Sequence, residues 1–380
     1  MKRILIVNNN LYMGGVQKAL ISLLWNIRGR YDVTLLLFHD AGDCADELPP
    51  DIHVITVKSG FRYLGMTRHD TNTLCRKLGR GFYAGITRLF GRRLAVSLMG
   101  IGQKKLTGYD AVISYLHNSG NKVFYGGCNE FVLRHTEAKR KIAFLHCDYT
   151  LCGADTPQNA RQYSTFDIIA ACSKGCRDAF LRSNPQLKEK VRIVPNCHRF
   201  DQIQKLAAAA PEHLPKDRLN IVTVARLGKE KGVHRAVEAI GQLGNMQQKL
   251  HYYIIGDGIE RPQIESMIDR FGLQDTVSLC GQMKNPYGYI AAADWLLIPS
   301  YSEAAPLVIG EAAGLGTPVL STETSSAHEM LTDTGFGRVC DNSVEGLTAA
   351  LQQLLDAPLS KKAAVPVSND TALTAFDQCI

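Results

Sequence analysis

The stretch "SEAAPLVIGEAAGLGTPVLST", Ser302–Thr322, holds the key to the fold. Pro306 suits the first turn of a helix, where its missing N–H is not needed. Gly314 and Gly316 suit the helix end, and Thr317–Ser321 then reads as a short strand. Leu307, Val308, Ile309, Ala312, Ala313 and Leu315 make this helix apolar almost all round, the pattern of a buried helix. Yet it carries Glu311, and Glu303 stands just before it. The stretch holds no other charge.

The same helix–strand alternation runs along the whole chain. "RILIVNN" reads as a strand, followed by a turn at Gly14–Gly15 and a helix from about Val16 to Ile27. "YDVTLLLFH", "IHVITV", "YDAVISYLH", "RKIAFLHCD", "FDIIAACS" and "VRIVPNC" continue the first half. The stretch from Asp201 to Arg218, helical and Ala-rich and then broken by Pro211 and Pro215, reads as a linker. The alternation restarts with "NIVTVAR", "HYYIIGDG", "VSLCG" and "WLLIPS", each followed by a helical stretch. Such a pattern implies parallel sheets covered by helices on both faces. Two doubly wound Rossmann-like domains are expected, at 1–198 and 199–364, facing a cleft at the carboxyl ends of their strands.

A chain of 380 residues exceeds one typical core, and its 45% hydrophobic, 21% charged make-up is that of a soluble globular protein. The start "MKRILIVNNN" has only a short apolar run, Ile4–Val7, and reads as a first strand rather than a signal peptide. No stretch approaches the ~18 apolar residues of a membrane span. The 11 cysteines are scattered without a CxxC pair, which points to reduced, structural thiols in a cytoplasm. The net charge of +7 is concentrated: Lys58–Lys105 holds eleven Lys or Arg and one acid, Asp70. Apolar residues such as Tyr63, Leu64, Phe82, Leu89 and Phe90 are interleaved there. That pattern suits an anionic membrane leaflet or an acidic acceptor better than nucleic acid, for which no motif is present.

Charged residues and glycines recur where strands end. "NNNLYMGGVQKAL" places Gly14 and Gly15 before a helix, where backbone can approach a phosphate. "VARLGKEKG" puts Arg226 and Lys231 after a strand, as candidates to clamp a diphosphate. Gly256 and Gly281 stand at the next two strand ends, and His146 closes "IAFLHCD". The helix start at Pro306, Leu307 and Val308 offers free amides to a phosphate. Glu303 and Glu311 can accept sugar hydroxyls, and Gly310 and Gly314 leave room beside Glu311 for a ligand. The segment can therefore hold a sugar phosphate. The GxGxxG of a dinucleotide site is absent, which speaks against a dehydrogenase.

With these residues placed, the sequence resembles the retaining GT-B glycosyltransferases of the family-four type. The Glu303-x7-Glu311 spacing is that family's hallmark. Asn285–Thr322 looks like its donor-binding core, "VARLGKEKG" its phosphate loop, "VRIVPNC" its hinge and "MGGVQKAL" its N-terminal glycine loop. The likeness runs from about Arg3 to Glu329. It implies an α/β GT-B architecture, an acceptor-side first domain, and a last segment, within 365–380, that crosses back to it. It also implies a nucleoside-diphosphate sugar, UDP-linked, as donor and a glycan or lipid-linked acceptor. Glu311 would bind the ribose, Glu303 the transferred sugar, and Arg226 and Lys231 the diphosphate. Gly15 would let its loop approach the donor, and His146 would lie near sugar and acceptor. No metal and no cofactor would be needed, because protein cations act on the phosphates. The setting implied is surface polysaccharide assembly in the cytoplasm, peripheral on the inner face of the membrane.

The chain departs from the family pattern at Ala304 and Ala305, where Gly-Phe is common, and at Ser325 and Ser326, where glycines are common. Both changes reduce backbone freedom near the phosphates. They motivate one rival, a catalytically silent sugar-nucleotide-binding protein; the nearest rival in chemistry is a GT-B epimerase or hydrolase.

Overall fold

A computed structural model describes residues 1–67, 69–356 and 367–380. Seven strands form the first sheet: β1 (Arg3–Asn8), β2 (Asp32–Leu37), β3 (His53–Thr56), β4 (Leu106–Ser114), β5 (Thr136–Leu145), β6 (Ile168–Ala171) and β7 (Val191–Ile193). They run parallel in the order β3-β2-β1-β4-β5-β6-β7. Ile4, Leu5, Ile6 and Val7 are all fully buried, because β1 sits mid-sheet with helices on both faces. The chain starts in the middle of the sheet, builds outward to β3 and returns to add β4 on the other side of β1. That reversal opens a crevice at the strand ends, the usual ligand position in such sheets.

The second sheet repeats this plan. Its strands are β8 (Leu219–Val224), β9 (Leu250–Ile255), β10 (Val277–Gly281), β11 (Trp295–Ile298), β12 (Val319–Thr322) and β13 (Gly337–Cys340), in the parallel order β10-β9-β8-β11-β12-β13. Here β11 returns beside β8, so the loops after β8 and β11 face each other.

The chain divides into two compact units: Met1–Cys197 with Asn369–Ile380, and His198–Ser368. The last helix, Asp370–Cys379, packs Phe376 edge-on against Tyr31 at 5.9 Å, and Tyr31 Oη donates to Asp377 Oδ1 at 2.6 Å. The stretch expected as a linker is different. Its helix, Phe200–Ala209, buries Ile203 and Ala207 in the core of the second unit, against Val222, Leu296 and Ile309. Of the alanines that suggested a linker, Ala207 is buried, while Ala208 and Ala209 face solvent.

Among its described residues the basic stretch forms a short helix, Arg62–Gly65, and two longer ones, Leu74–Phe90 and Arg92–Met99. Leu74, Leu78, Phe82 and Leu89 stay exposed and share one arc of about 80° on the first of the longer helices, at 100° per residue. An open groove of about 550 Å³ beside it is lined by Lys58, Arg62, Tyr63, Leu78 and Phe82. Among the described residues no helix is long and apolar enough to cross a membrane.

Candidate functional site

In the second unit the loop after β8 carries Arg226, then the short 3-10 turn Lys229–Lys231. The loop after β11 carries Ser300, Tyr301 and Glu303. Backbone and side chain tie the two loops together. Tyr301 N donates to Glu230 O at 3.0 Å, and Arg235 Nη2 donates to Pro299 O at 2.5 Å. Lys231 Nζ donates to Glu303 Oε1 at 2.7 Å, and Ser300 Oγ donates to the same oxygen at 2.7 Å. This ion pair is mostly sheltered, with side chains 27% and 11% exposed. The ammonium and the carboxylate are thereby fixed relative to each other at the strand ends.

Arg226 sits differently. Its side chain is 77% exposed and pairs with Glu230 Oε1 at 2.7 Å. An exposed pair of this kind contributes ~0–1 kcal/mol, so a stronger anion can displace it.

The apolar helix spans Leu307–Leu315, with Pro306 as its extended N-cap. Leu307 and Val308 lie in the first turn, where the helix itself supplies no carbonyl for their N–H groups. Glu311 is 8% exposed, and Tyr287 Oη donates to its Oε1 at 3.3 Å. A buried carboxylate needs more than one bond of that length, so it is suited to take hydroxyls from a ligand. The helix is only half-buried overall, with Ile309, Glu311 and Ala312 its buried residues.

The expected room beside Glu311 is not there. A Cβ on Gly310 would come 2.2 Å from His198 Nε2, and one on Gly314 would come 2.9 Å from Phe200 Cδ1. These glycines admit the chain entering the second unit, and His198 Nε2 lies 3.1 Å from Leu307 O. The space belongs to the protein's own packing. Gly256 likewise has a packing reason: it takes φ +144°, and a Cβ there would meet Ala225 O at 1.8 Å. Its N–H donates to Gly281 O at 2.8 Å, and Gly281, at φ +74°, faces open space.

The serines that depart from the family pattern hold the loop. Ser325 Oγ and Ser326 Oγ both donate to Glu303 O, at 2.8 and 3.5 Å. They fix the backbone of Glu303 by hydrogen bonds where glycine would leave it loose.

The first unit holds His146, Gly14 and Gly15. Gly15 heads the helix Gly15–Asn26 with nothing within 4 Å of a Cβ built on it, so it leaves open space at the end of β1. Gly14 is its extended N-cap. His146 follows β5, with its ring 4.6 Å from that of Tyr115 and stacked on Phe144 at 5.6 Å. Burial, and next the neighbouring His117, push its pKa down to about 3, so it is neutral at pH 7. Its Nε2 is buried without a hydrogen-bond partner.

Tyr287, Ser300, Glu230 and His198 were not singled out from the sequence. Tyr287 and Ser300 are neutral and sit in ordinary helix and strand-end contexts, which carry no signal. Glu230 lies inside "KEK", where only the cations drew notice.

Two parallel doubly wound sheets, of seven and six strands, define an α/β protein of the GT-B fold. Residues 205–369 match the model of the family described as glycosyl transferases group 1. The lipopolysaccharide core biosynthesis glycosyltransferase LpsD of Rhizobium meliloti is 27% identical over 192 residues, covering 50% of this chain and 54% of that protein. The putative colanic acid biosynthesis glycosyltransferase WcaL of Escherichia coli is 31% identical over 175 residues, covering 42% and 43%. The chain spans about half the length of the curated relatives it matches. Among solved structures, Anabaena Alr3699/HepE in complex with UDP-glucose aligns at TM-score 0.65 and 18% identity, over 100% of this chain and 98% of that one. Identity that low speaks for the fold alone.

Proposed function

We propose that the protein transfers a hexosyl or N-acetylhexosaminyl group from a nucleoside-diphosphate sugar, UDP-linked, to a glycan or lipid-linked acceptor, with retention of anomeric configuration, in surface polysaccharide assembly. The observation that carries this reading is the Lys231–Glu303–Ser300 cluster at the strand ends, one turn ahead of the helix that presents Glu311. An ammonium there can meet the departing diphosphate, while Glu303 accepts from the sugar and Glu311 from the ribose. Support comes from the lipopolysaccharide and colanic acid roles in the names of LpsD and WcaL, and from the UDP-glucose bound to Alr3699/HepE.

The exposed apolar stripe of the helix Leu74–Phe90, with Lys77 and Arg88 alongside, supports a resting place on the anionic inner leaflet, where a lipid-linked acceptor is presented. The donor clamp uses no metal and the reaction no cofactor. Incubation with UDP-, GDP- and ADP-linked sugars and a panel of lipid-linked and glycan acceptors tests the reading. New glycosidic product is expected with a UDP-sugar, with the anomeric configuration unchanged. Intact donor with every acceptor favours a silent binding protein; a free epimerised or hydrolysed sugar favours an epimerase or hydrolase.

A further inference from the structure

Three soft donors meet in the first unit, at the carboxyl ends of β4 and β5. His117 lies just past β4, Cys147 just past β5, and Cys152 on the turn that follows. A ring nitrogen of His117 and the sulfurs of Cys147 and Cys152 all lie within 4.8 Å of one another. The two sulfurs are 3.1 Å apart. The turn between them is built firmly. Asp148 Oδ1 accepts from Thr150 Oγ1 at 2.8 Å and from Leu151 N at 3.2 Å, and Cys152 N donates to Asp148 O at 3.0 Å. Ser119 Oγ donates to Cys152 O at 3.2 Å, tying the turn to the loop of His117. Cys176 Sγ donates to Cys147 O at 3.2 Å. His117 is buried, and its Nδ1 has no hydrogen-bond partner.

We infer that His117, Cys147 and Cys152 form a binding site for one metal ion of the zinc type, with a fourth position open. Two thiolates and an imidazole are the donors that select zinc or copper(I); magnesium and calcium take oxygen ligands. Tetrahedral zinc with Zn–S near 2.3 Å and Zn–N near 2.0 Å needs donors roughly 3.5–3.8 Å apart, so shifts of about 1 Å seat the ion. Binding releases the thiol protons, and the ion joins the loop after β4 to the turn after β5. Arg226, Lys231 and Glu303 lie in the other unit, whereas His146 adjoins Cys147 and feels the neighbouring His117.

The test uses the full-length protein, reduced and freed of metal. Co(II) is titrated in, followed optically, and then displaced by Zn(II). Expected is one Co(II) per chain, with a thiolate charge-transfer band and the visible bands of a tetrahedral ion, both lost on adding Zn(II). Cys152→Ser and His117→Gln, each folded by circular dichroism, should weaken Zn(II) by more than the roughly 10–100-fold that loss of a mere supporting contact costs. Cys75→Ser, at an exposed thiol, should bind as the parent does. The proposal fails if uptake is absent or substoichiometric in the reduced protein. It fails also if the Cys152→Ser and His117→Gln variants keep parent affinity, or if Cys75→Ser loses it. Recovery of a Cys147–Cys152 disulfide together with no uptake by the reduced chain would mark the pair as a dithiol instead.

Discussion

At the level of single residues, the site is a set of paired charges that a ligand can rearrange. Lys231 is held by Glu303, so removing either disturbs both. Lys231→Ala should lower turnover by ~100-fold or more, as loss of one electrostatic donor to a developing charge does. Lys231→Arg should rescue little, since a planar guanidinium does not reproduce the compact ammonium bonded to Glu303. Full turnover of Lys231→Ala at saturating donor would remove Lys231 from the clamp. On the proposed assignment of Arg226 and Lys231 as the source of positive charge, UDP affinity measured by calorimetry should be the same with EDTA or with Mg²⁺. For Glu311→Ala the loss should fall on donor binding, by about 1.5–3 kcal/mol for hydrogen bonds to a charged group. Unchanged nucleotide affinity in the folded variant would reject the ribose role. His146→Ala should cut turnover far more than nucleotide affinity; equal loss of both would make His146 an aromatic-core residue against Tyr115 and Phe144. Glu303, Glu311 and Lys231 were legible in the sequence because a charge at a strand end or in an apolar helix is conspicuous. Ser300 and Tyr287 were not, since neutral donors break no pattern. Gly310 and Gly314 misled, because sequence shows that a side chain is missing but not whether a ligand or His198 fills the gap.

Among the elements, the basic helices show how far charge counting reaches. The run of cations was plain in sequence, but its members have different fates. Arg92 is buried and pairs with Glu130, Nε to Oε1 at 2.8 Å, with side chains 3% and 1% exposed. It therefore brings nothing to a membrane. Breaking such a pair leaves a buried charge, so Arg92→Met should destabilise the protein by roughly 3–5 kcal/mol in denaturant unfolding. Burial pushes the Glu130 carboxyl up, but Arg92, Gln162 and Asn118 outweigh it and hold the pKa below the ordinary value. The folded value being depressed, this stabilisation is present above the unfolded carboxyl pKa of about 4.3 and is lost as pH falls below it. Acid unfolding monitored by circular dichroism should therefore be less steep in a Glu130→Gln, Arg92→Met double variant. The exposed stripe makes a separate prediction. Phe82→Ser with Leu89→Ser should reduce flotation with anionic liposomes. The binding of the parent should fall with salt, each basic residue being worth about 1 kcal/mol within a Debye length of about 10 Å at 0.1 M. Flotation indifferent to both anionic lipid and salt would reject the membrane surface.

For the molecule as a whole, the alternation of strand and helix was enough to read two parallel sheets, because fully apolar runs such as Ile4–Val7 are tolerated only where both faces are covered. It could not assign the segments between them. Asp201–Arg218 looked like a linker because it is Ala-rich and then broken by Pro211 and Pro215, yet Ile203 and Ala207 complete the second core. The final helix is the converse case, read from family likeness rather than from its own residues. In the structure it belongs to the first unit: Phe376 is fully buried, between Tyr31 and Phe144, and Ala372 and Cys379 are buried with it. Arg140 Nη1 donates to Cys379 O at 3.3 Å, so the helix is bonded as well as packed. Truncating a large buried aromatic removes its transfer energy and leaves a cavity, costing about 3–5 kcal/mol. Phe376→Ala should therefore weaken the first unit while leaving the second unchanged, although the residue follows the second unit in sequence. Hydrogen exchange read by mass spectrometry separates the two: faster exchange is expected in β1, β2 and β5, with β8, β9 and β11 as in the parent. Uniform acceleration across both sheets would show that the helix stabilises the chain as one cooperative body, and acceleration confined to β8–β13 would place it with the wrong unit.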